Sequence, residues 1–380
     1  MMKRIAVIGS TGSIGVQTLQ VARERGYEIA ALAAGSNIDL LEQQLLEHRP
    51  RLAAVYDGAQ AERLRARLAG KLDIPVLSGR EGVCACARED SADLTLNAAV
   101  GIAGLAPTVA AIQAHKTLAL ANKESLVCAG TLVNQLAREN GVAIVPVDSE
   151  HSAVFQCLQG SRPEEVERIL LTASGGPFFG KTAEEMEHMT PAQALKHPSW
   201  SMGAKITIDS ATMMNKGFEM IEALHLFHVQ PRQIQVLVHR ESIVHSLVEF
   251  RDGSTLAQLS PPDMRLPIQY AVDYPVRLPS ARKRLDLAAV GSLSFYPPDE
   301  AAFPAMGLCR EAMERGGTLG AAINGANEVA VAAFLRQEIP FGEIYRRVER
   351  AAHRVRFLHN PSLEDIFETD RLARAAAATD

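Results

Sequence analysis

Short apolar runs alternate with helical patterns over the first part of the chain. Residues 4–8 form an apolar run that ends at a glycine, which is typical of a buried parallel strand. A helical pattern follows at about 14–25, and residues 27–33 predict a second strand, which completes a βαβ unit. Further helices are predicted near 39–48 and 59–69, and further strands at 52–55, 94–98, 117–120 and 143–147. This alternation predicts an α/β domain with a doubly wound, Rossmann-like parallel sheet over residues 1–148.

The pattern changes after residue 149. Residues 178–204 are rich in Lys, Glu, His and Met with little period, which predicts a partly helical, mobile loop. From residue 300 the chain is rich in Ala, Arg and Glu and predicts helices. Strand-like runs lie at 169–172, 205–208, 234–238, 242–250 and 255–259. We therefore predict an α+β second domain at 149–275 in which the segment at about 174–204 is a candidate lid, a linker at 276–299 and a helical domain at 300–380.

Composition and charge narrow the class of protein. The chain has 380 residues, 47% hydrophobic and 22% charged, with a formal charge of −5, which fits a globular protein of two or three domains at roughly 100–200 residues each. No basic stripe favours nucleic acid, and no run approaches the ~18–20 apolar residues of a membrane span. The five cysteines are odd in number and scattered, and the first strand leaves little room for a signal peptide. We expect a cytoplasmic protein without nucleic-acid or membrane partners.

A glycine-rich turn follows the first predicted strand and opens a helix. Residues 9–15 read GSTGSIG, a G-x-x-G-x-x-G spacing that permits a tight turn and close approach to a pyrophosphate at the helix N-terminus. The second strand ends at Gly35-Ser36-Asn37 without the acidic residue usual in NAD enzymes, so the pattern favours NADPH. Asp39 is close enough that NADH stays an alternative cofactor. The alternative to nucleotide binding is an ordinary glycine turn.

Two carboxylates follow the strand predicted at 143–147. If the chain stays extended there, Asp148 and Glu150 point to one side of the strand, on either side of Ser149. Convergent carboxylates repel unless a cation lies between them, and hard oxygen ligands suit Mg²⁺ or Mn²⁺. A solvated acidic turn would give the same pattern.

The segment 213–222, MMNKGFEMIE, adds polar groups at helical spacing. If it is helical, Asn215 and Glu219 lie one turn apart on one face with Lys216 beside them. Such a face suits a phosphate or sugar hydroxyl together with a third metal ligand. An ordinary surface pair of Lys216 and Glu219 is the alternative, and Glu222 fits either a ligand or an exposed helix position.

Three further features are candidates for ligand contacts. Ser174 opens a Ser-Gly-Gly turn whose N–H groups suit phosphate, or which is a plain loop start. Trp200, the single tryptophan, lies in the predicted lid and either caps a ligand or anchors the loop by packing. Lys123-Glu124 follows the strand at 117–120 and is either a cofactor or catalytic contact, or else a surface pair.

These motifs together resemble the 1-deoxy-D-xylulose 5-phosphate reductoisomerase family over nearly the whole chain. The matching stretches are GSTGSIG at 9–15, LANKESLV at 120–127, PVDSEH at 146–151, LLTASGGPF at 170–178, HPSWSMG at 197–203, DSATMMNKGFEMIEA at 209–223, PPDMRLPI at 261–268 and NGANEVAVAAFL at 324–335.

The resemblance implies roles for residues at the matching positions. It implies that Asp148, Glu150 and Glu219 are the metal ligands, and that Lys123, Glu150, Glu219 and His197 carry the catalytic chemistry. The implied cofactor contacts are Thr11, Gly12, Ser13, Ile14, Gly35, Ser36, Asn37, Asn122, Glu124, Gly203 and Met264. The implied substrate contacts are Lys123, Ser149, Glu150, Ser174, His197, Trp200, Ser210, Asn215, Lys216 and Glu219, of which Ser174, Ser210, Asn215 and Lys216 would hold the phosphate.

The resemblance also implies the reaction and the assembly. The substrate is the sugar phosphate 1-deoxy-D-xylulose 5-phosphate, which is isomerised and then reduced by NADPH, with Mg²⁺ or Mn²⁺, to 2-C-methyl-D-erythritol 4-phosphate, and the protein is a homodimer. Ser36 departs from the basic residue common in the family, which weakens one expected contact with the 2′-phosphate of NADPH. A thiol-dependent semialdehyde dehydrogenase using Cys128 or Cys157, or a non-catalytic NADPH-binding regulator, are the alternatives.

Overall fold

A computed structural model describes residues 3–200 and 202–379. The chain forms two compact units. Unit 1 comprises the described residues of Met1–Ser125 together with Val133–Asp148 and Met264–Ser280. Unit 2 comprises Leu126–Leu132, Ser149–Asp263 and the described residues from Ala281 onward.

Strands and helices alternate along most of the described chain. The strands are β1 (Arg4–Ile8), β2 (Glu28–Ala34), β3 (Leu52–Val55), β4 (Val76–Ser78), β5 (Leu94–Asn97), β6 (Thr117–Leu120), β7 (Ile144–Pro146), β8 (Val166–Ala173), β9 (Ile234–Val238), β10 (Val244–Phe250) and β11 (Thr255–Leu259). The helices are α1 (Ser13–Arg25), α2 (Ile38–His48), α3 (Gly58–Leu68), α4 (Gly79–Ala87), α5 (Leu105–Gln113), α6 (Glu124–Glu139), α7 (Ser149–Cys157), α8 (Ala183–Met186), α9 (Pro191–Ala194), α10 (Ala204–Ala211), α11 (Met214–Phe227), α12 (Arg265–Asp273), α13 (Leu287–Val290), α14 (Ala305–Arg315), α15 (Leu319–Leu335), α16 (Phe341–Arg354) and α17 (Leu363–Thr379). Short 3₁₀ turns cover Gly101–Gly104, Pro163–Glu165 and Pro231–Gln233.

Unit 1 is built on a sheet of seven strands in the order β4-β3-β2-β1-β5-β6-β7. Every neighbouring pair is parallel. The strand order reverses at β1, and the carboxyl end of such a switch point is where open α/β sheets bind ligands. The predicted doubly wound parallel sheet is thereby confirmed.

Helix α12 packs with unit 1 although it lies far along the chain. Its last residue, Asp273, pairs with Arg25 at 3.3 Å and accepts a 2.6 Å hydrogen bond from the Tyr27 hydroxyl. The segment Met264–Ser280 therefore groups with the parallel sheet, whereas the sequence pattern placed it partly in the second domain and partly in the linker. The other domain limits stay predictions.

Unit 2 contains a smaller sheet and most of the C-terminal helices. Its four strands run in the order β11-β10-β8-β9, with β8 and β9 parallel and the other pairs antiparallel. Helices α14 to α17 pack with α11 into one apolar core. Gly217 of α11 permits this approach, because a Cβ there would lie 2.5 Å from the Cys309 sulfur. The predicted α+β region and helical C-terminal region are confirmed.

One predicted strand is wrong. Residues 205–208 lie inside helix α10, where Thr207, Ile208 and Asp209 are buried. The β-branched run Ile206-Thr207-Ile208 has the composition of a strand, but its packing against α11 and α15 overrides that local preference. Among the described residues no helix combines the length and apolar character that crossing a membrane requires.

Candidate active site

The turn between β1 and α1 has the shape of a dinucleotide-binding loop. Gly9 adopts a φ of +81° and donates its N–H to the Ala33 carbonyl at 2.8 Å. A Cβ at Gly15 would lie 2.3 Å from the Gly9 oxygen, so only glycine fits there. Gly12 caps α1 without a side-chain hydrogen bond, and the N–H groups at 11–14 lie where a helix N-terminus attracts an anion.

The end of β2 carries no acidic ligand for a ribose. Gly35 and Ser36 are exposed, and Asn37 caps α2 by accepting a 3.2 Å hydrogen bond from the Leu40 N–H. Asp39, the residue that kept NADH as an alternative cofactor, pairs through its carboxylate with Arg67 at 2.5 Å. A cation therefore lies beside this acid at the edge of the sheet.

Asn122, Lys123 and Glu124 follow β6 and are buried. Asn122 donates to the carbonyls of Ala99 and Gly101 at 2.8 and 3.0 Å and to Glu124 at 3.0 Å, so its amide shapes the turn after β5. The Lys123 ammonium lies 2.7 Å from the Asp148 carboxylate. The alternative considered from the sequence, that Lys123 and Glu124 form an exposed surface pair, is therefore wrong.

Three predicted metal ligands converge. Oxygen atoms of Asp148, Glu150 and Glu219 all lie within 4.8 Å of one another. The premise of an extended chain is wrong, however, because α7 begins at Ser149. The carboxylates of Asp148 and Glu150 approach each other at the start of a helix, not along a strand.

Helix α11 has the predicted face. Asn215 donates to one oxygen of Glu219, and the Lys216 ammonium contacts the other and lies 3.1 Å from Glu150. Ser149 donates its hydroxyl to the second Glu150 oxygen at 2.6 Å. Glu219 and Lys216 are both buried, which excludes the alternative of an ordinary surface pair.

A second group of metal-ligating side chains includes His151, which was missed from the sequence, and Glu222, which was left open between a ligand and an exposed helix position. The His151 ring places Nε2 2.9 Å from the Glu219 carbonyl and Nδ1 3.4 Å from the Glu222 carboxylate. His151 and Glu222 are fully buried, and atoms of Asp148, His151 and Glu222 also lie within 4.8 Å of one another. The helical register of Glu219 and Glu222 was the available signal, since their spacing puts both near one face.

The Ser-Gly-Gly turn after β8 meets two other predicted residues. The Ser174 hydroxyl lies 2.9 Å from His197 Nε2 and accepts the Gly176 N–H at 3.2 Å. A Cβ at Gly176 would lie 2.6 Å from the Ser210 carbonyl oxygen, so the turn packs on the backbone of α10. Ser174, His197 and Ser210 are thus brought together, as the resemblance implied.

His197 is held in one tautomer. Its Nδ1 accepts the N–H groups of Ser199 and Trp200 at 3.2 and 2.9 Å, so Nε2 carries the proton and donates to Ser174. Burial, together with the positive charge of Arg240, lowers the pKa of His197 to about 4. The Trp200 ring packs 6.1 Å from His245.

Two further predicted cofactor contacts lie at the starts of helices. Gly203 is exposed at the start of α10, and Met264 is half-buried before α12. Their contacts with a cofactor stay predictions, and the predicted lid includes Ser201, which lies outside the described residues.

A relative from Ruminiclostridium cellulolyticum, a 1-deoxy-D-xylulose 5-phosphate reductoisomerase, is 51% identical over 377 residues, which are 99% of this chain and 99% of that protein. The chain belongs to the 1-deoxy-D-xylulose 5-phosphate reductoisomerase family. Models of this reductoisomerase family match residues 5–130, and models of its C-terminal domains match 144–227 and 259–376. The resemblance found in the motifs is confirmed.

Solved structures of this reductoisomerase family share the fold. The Zymomonas mobilis enzyme in complex with NADPH has a TM-score of 0.92 and 42% identity, covering 100% of this chain and 99% of that one. A second reductoisomerase, in complex with NADPH, fosmidomycin and magnesium, has a TM-score of 0.93 and 40% identity, covering 100% and 98%. Both of those proteins bind NADPH, and the second also binds magnesium.

We predict that His197 stays neutral in the folded protein at physiological pH. The pKa of the His197 imidazole is about 4 in the folded protein, against an ordinary value of 6.5. Between these two pH values the unfolded chain binds a proton that the folded protein does not, so the stability of the folded protein decreases as the pH falls from 6.5 towards 4. A titration of the His197 ring followed by NMR should show no midpoint above pH 5. A midpoint near 6.5 would contradict the described hydrogen bonds.

Proposed function

We propose that this chain converts 1-deoxy-D-xylulose 5-phosphate to 2-C-methyl-D-erythritol 4-phosphate, using NADPH and Mg²⁺ or Mn²⁺. The observation that carries the proposal is the convergence of Asp148, Glu150 and Glu219 within 4.8 Å in a member of this family. Three convergent carboxylates repel one another unless a cation lies among them, and their hard oxygen donors suit Mg²⁺ or Mn²⁺.

The carboxylates fit a divalent cation by their chemistry. Asp148, Glu150 and Glu219 offer only oxygen donors, and two of them are held by hydrogen bonds from Ser149 and Asn215, which orient ligands for a metal. The cation, when bound, supplies Lewis-acid stabilisation of the negative charge that develops on substrate oxygens during the isomerisation. Lys216 lies beside the same carboxylates and brings a second positive charge to this position.

The substrate phosphate is assigned to the cluster around Ser174. Its hydroxyl accepts from His197 and from the Gly176 N–H, so its own proton is directed to another acceptor. Ser210 lies against this turn, and Asn215 and Lys216 open the next helix. Remote binding energy at the phosphate orients the reacting carbons, and a lid bearing Trp200 excludes water from the aldehyde intermediate.

NADPH is assigned to the glycine turn of unit 1. The N-terminus of α1 attracts the pyrophosphate, and the cofactor supplies the hydride of the second step. Arg67 offers a cation near the site where Ser36 replaces the family's basic residue. NADPH is therefore still expected to be preferred to NADH.

The rival functions are less well supported. A thiol-dependent dehydrogenase needs an accessible thiolate, and all five cysteines are buried. Burial raises the pKa of Cys84, Cys86 and Cys309 above the ordinary range. A non-catalytic NADPH-binding regulator would have no use for the carboxylate cluster.

The reduced, buried cysteines also support a cytoplasmic location, which we include in the proposal.

The test of the proposed activity is NADPH oxidation with purified chain and 1-deoxy-D-xylulose 5-phosphate. We expect turnover that requires Mg²⁺ or Mn²⁺ and is abolished by EDTA, with kcat/KM for NADPH well above that for NADH. Turnover that survives EDTA but is lost on thiol alkylation would favour the dehydrogenase. Cofactor binding without turnover would favour the regulator.

We also propose a homodimer that pairs two copies of β11. This strand lies at the edge of its sheet, and the side chains of Thr255, Leu256 and Ala257 are exposed. Unpaired edge strands present backbone donors and acceptors to another chain, and two antiparallel copies form a symmetric interface.

Leu256→Lys should convert the dimer to a monomer, because a charged side chain on an edge strand opposes pairing. Light scattering after size-exclusion chromatography measures the mass. Leu287→Lys is the matched control, since Leu287 is also exposed but lies on α13. A Leu256→Lys variant that stays dimeric would overturn the proposed interface.

A further inference from the structure

The backbone of the turn at 174–176 is held by a side chain from outside the motif. Gly175 and Gly176 adopt φ values of +75° and +66°, which only glycine takes without strain. The Arg240 guanidinium donates from one nitrogen to the carbonyls of Ser174 and Gly176, both at 2.8 Å. One planar cation thus joins the two ends of the turn.

Arg240 is itself fixed in place. Its guanidinium lies 5.0 Å from the centre of the Phe179 ring, and Phe179 packs against Tyr296 at 5.5 Å. Tyr296 bridges Val238 by two backbone hydrogen bonds of 2.8 and 2.9 Å. The contact with Phe179, which is itself packed against the anchored Tyr296, therefore restricts the position of the guanidinium beside the turn.

The same arginine reaches the lid. Its carbonyl accepts the Ser199 hydroxyl at 3.3 Å, two residues after His197. His197 donates to the Ser174 hydroxyl from the other side. Arg240 therefore contacts both segments that position this hydroxyl, and its charge favours the neutral imidazole that the hydrogen bonds require.

We propose that Arg240 is a positioning residue for the substrate phosphate, acting by holding the Ser174–Gly176 turn so that the Ser174 hydroxyl faces the phosphate. The proposal rests on the role proposed above for Ser174. Arg240 does not need to touch the substrate, because both of its hydrogen bonds from Nη1 go to the backbone of the turn. An arginine that merely covers the protein surface would have no such effect.

The test compares kinetics of Arg240→Met, which keeps much of the side-chain length but removes the charge and the donors. We expect KM for 1-deoxy-D-xylulose 5-phosphate to rise about tenfold, as when buried carbonyls lose their donor. The value of kcat should change less than about threefold, since uniform binding is lost. Arg240→Lys should restore part of the loss. Arg168→Met is the control, because Arg168 lies on β8, the strand that leads into the turn, and pairs with Glu249 instead.

Fluorescence gives a readout that a general loss of stability would not move. Trp200 is the single tryptophan and donates its backbone N–H to His197 Nδ1. Its emission in the folded protein should shift in Arg240→Met but not in Arg168→Met, with both variants unfolding at temperatures close to that of the parent protein. Unchanged KM together with unchanged emission would overturn the proposal.

A double-mutant cycle separates this inference from the proposed role of Ser174. If Arg240 acts through Ser174, the rise in KM for Ser174→Ala and Arg240→Met together should be smaller than the product of the two single effects. An unchanged KM in Ser174→Ala would refute the phosphate role itself. If KM rises in Ser174→Ala but the rise in the double variant equals the product of the two single effects, only the positioning role is refuted.

Discussion

The candidate active site depends on how it keeps like charges together. Asp148, Glu150 and Glu219 lie within 4.8 Å of one another. At an effective dielectric constant of about 20, two unit charges about 4 Å apart interact by about 4 kcal/mol, so three ionised carboxylates require compensating cations. Lys216 contacts Glu150 and Glu219, and Lys123 pairs with Asp148. These two lysines offset two of the three negative charges, so the ionised cluster keeps a net negative charge that suits a cation.

The need to hold these carboxylates together explains why α11 buries charged side chains on one face and apolar side chains on the other. Lys216, Glu219 and Glu222 are buried although the pattern of a core helix calls for apolar residues there. The opposite side packs against α14, where Gly217 lets the Cys309 side chain approach. Buried charged groups that break the apolar pattern mark a functional site, and the C-terminal helices supply the stability that the site lacks.

Much of this could be predicted from residues close together in the sequence. The parallel sheet followed from its alternation of apolar runs and helices, and the Asn215–Glu219 pair from the helical period. Asp148 and Glu150 were predicted as a pair on a wrong premise, because Ser149 begins a helix. Arg240 was missed because its partners lie 64 and 66 residues away, a contact that no local pattern carries.

Direct binding of Mn²⁺ tests the central claim that the converging carboxylates form a divalent-metal site. Electron paramagnetic resonance measures free and bound Mn²⁺ without substrate, so it does not depend on turnover. We expect one Mn²⁺ per chain in the parent protein and an affinity lower by at least about tenfold in Glu219→Gln, which loses one anionic ligand. Equal affinity in the two proteins, or no binding by the parent, would contradict the account.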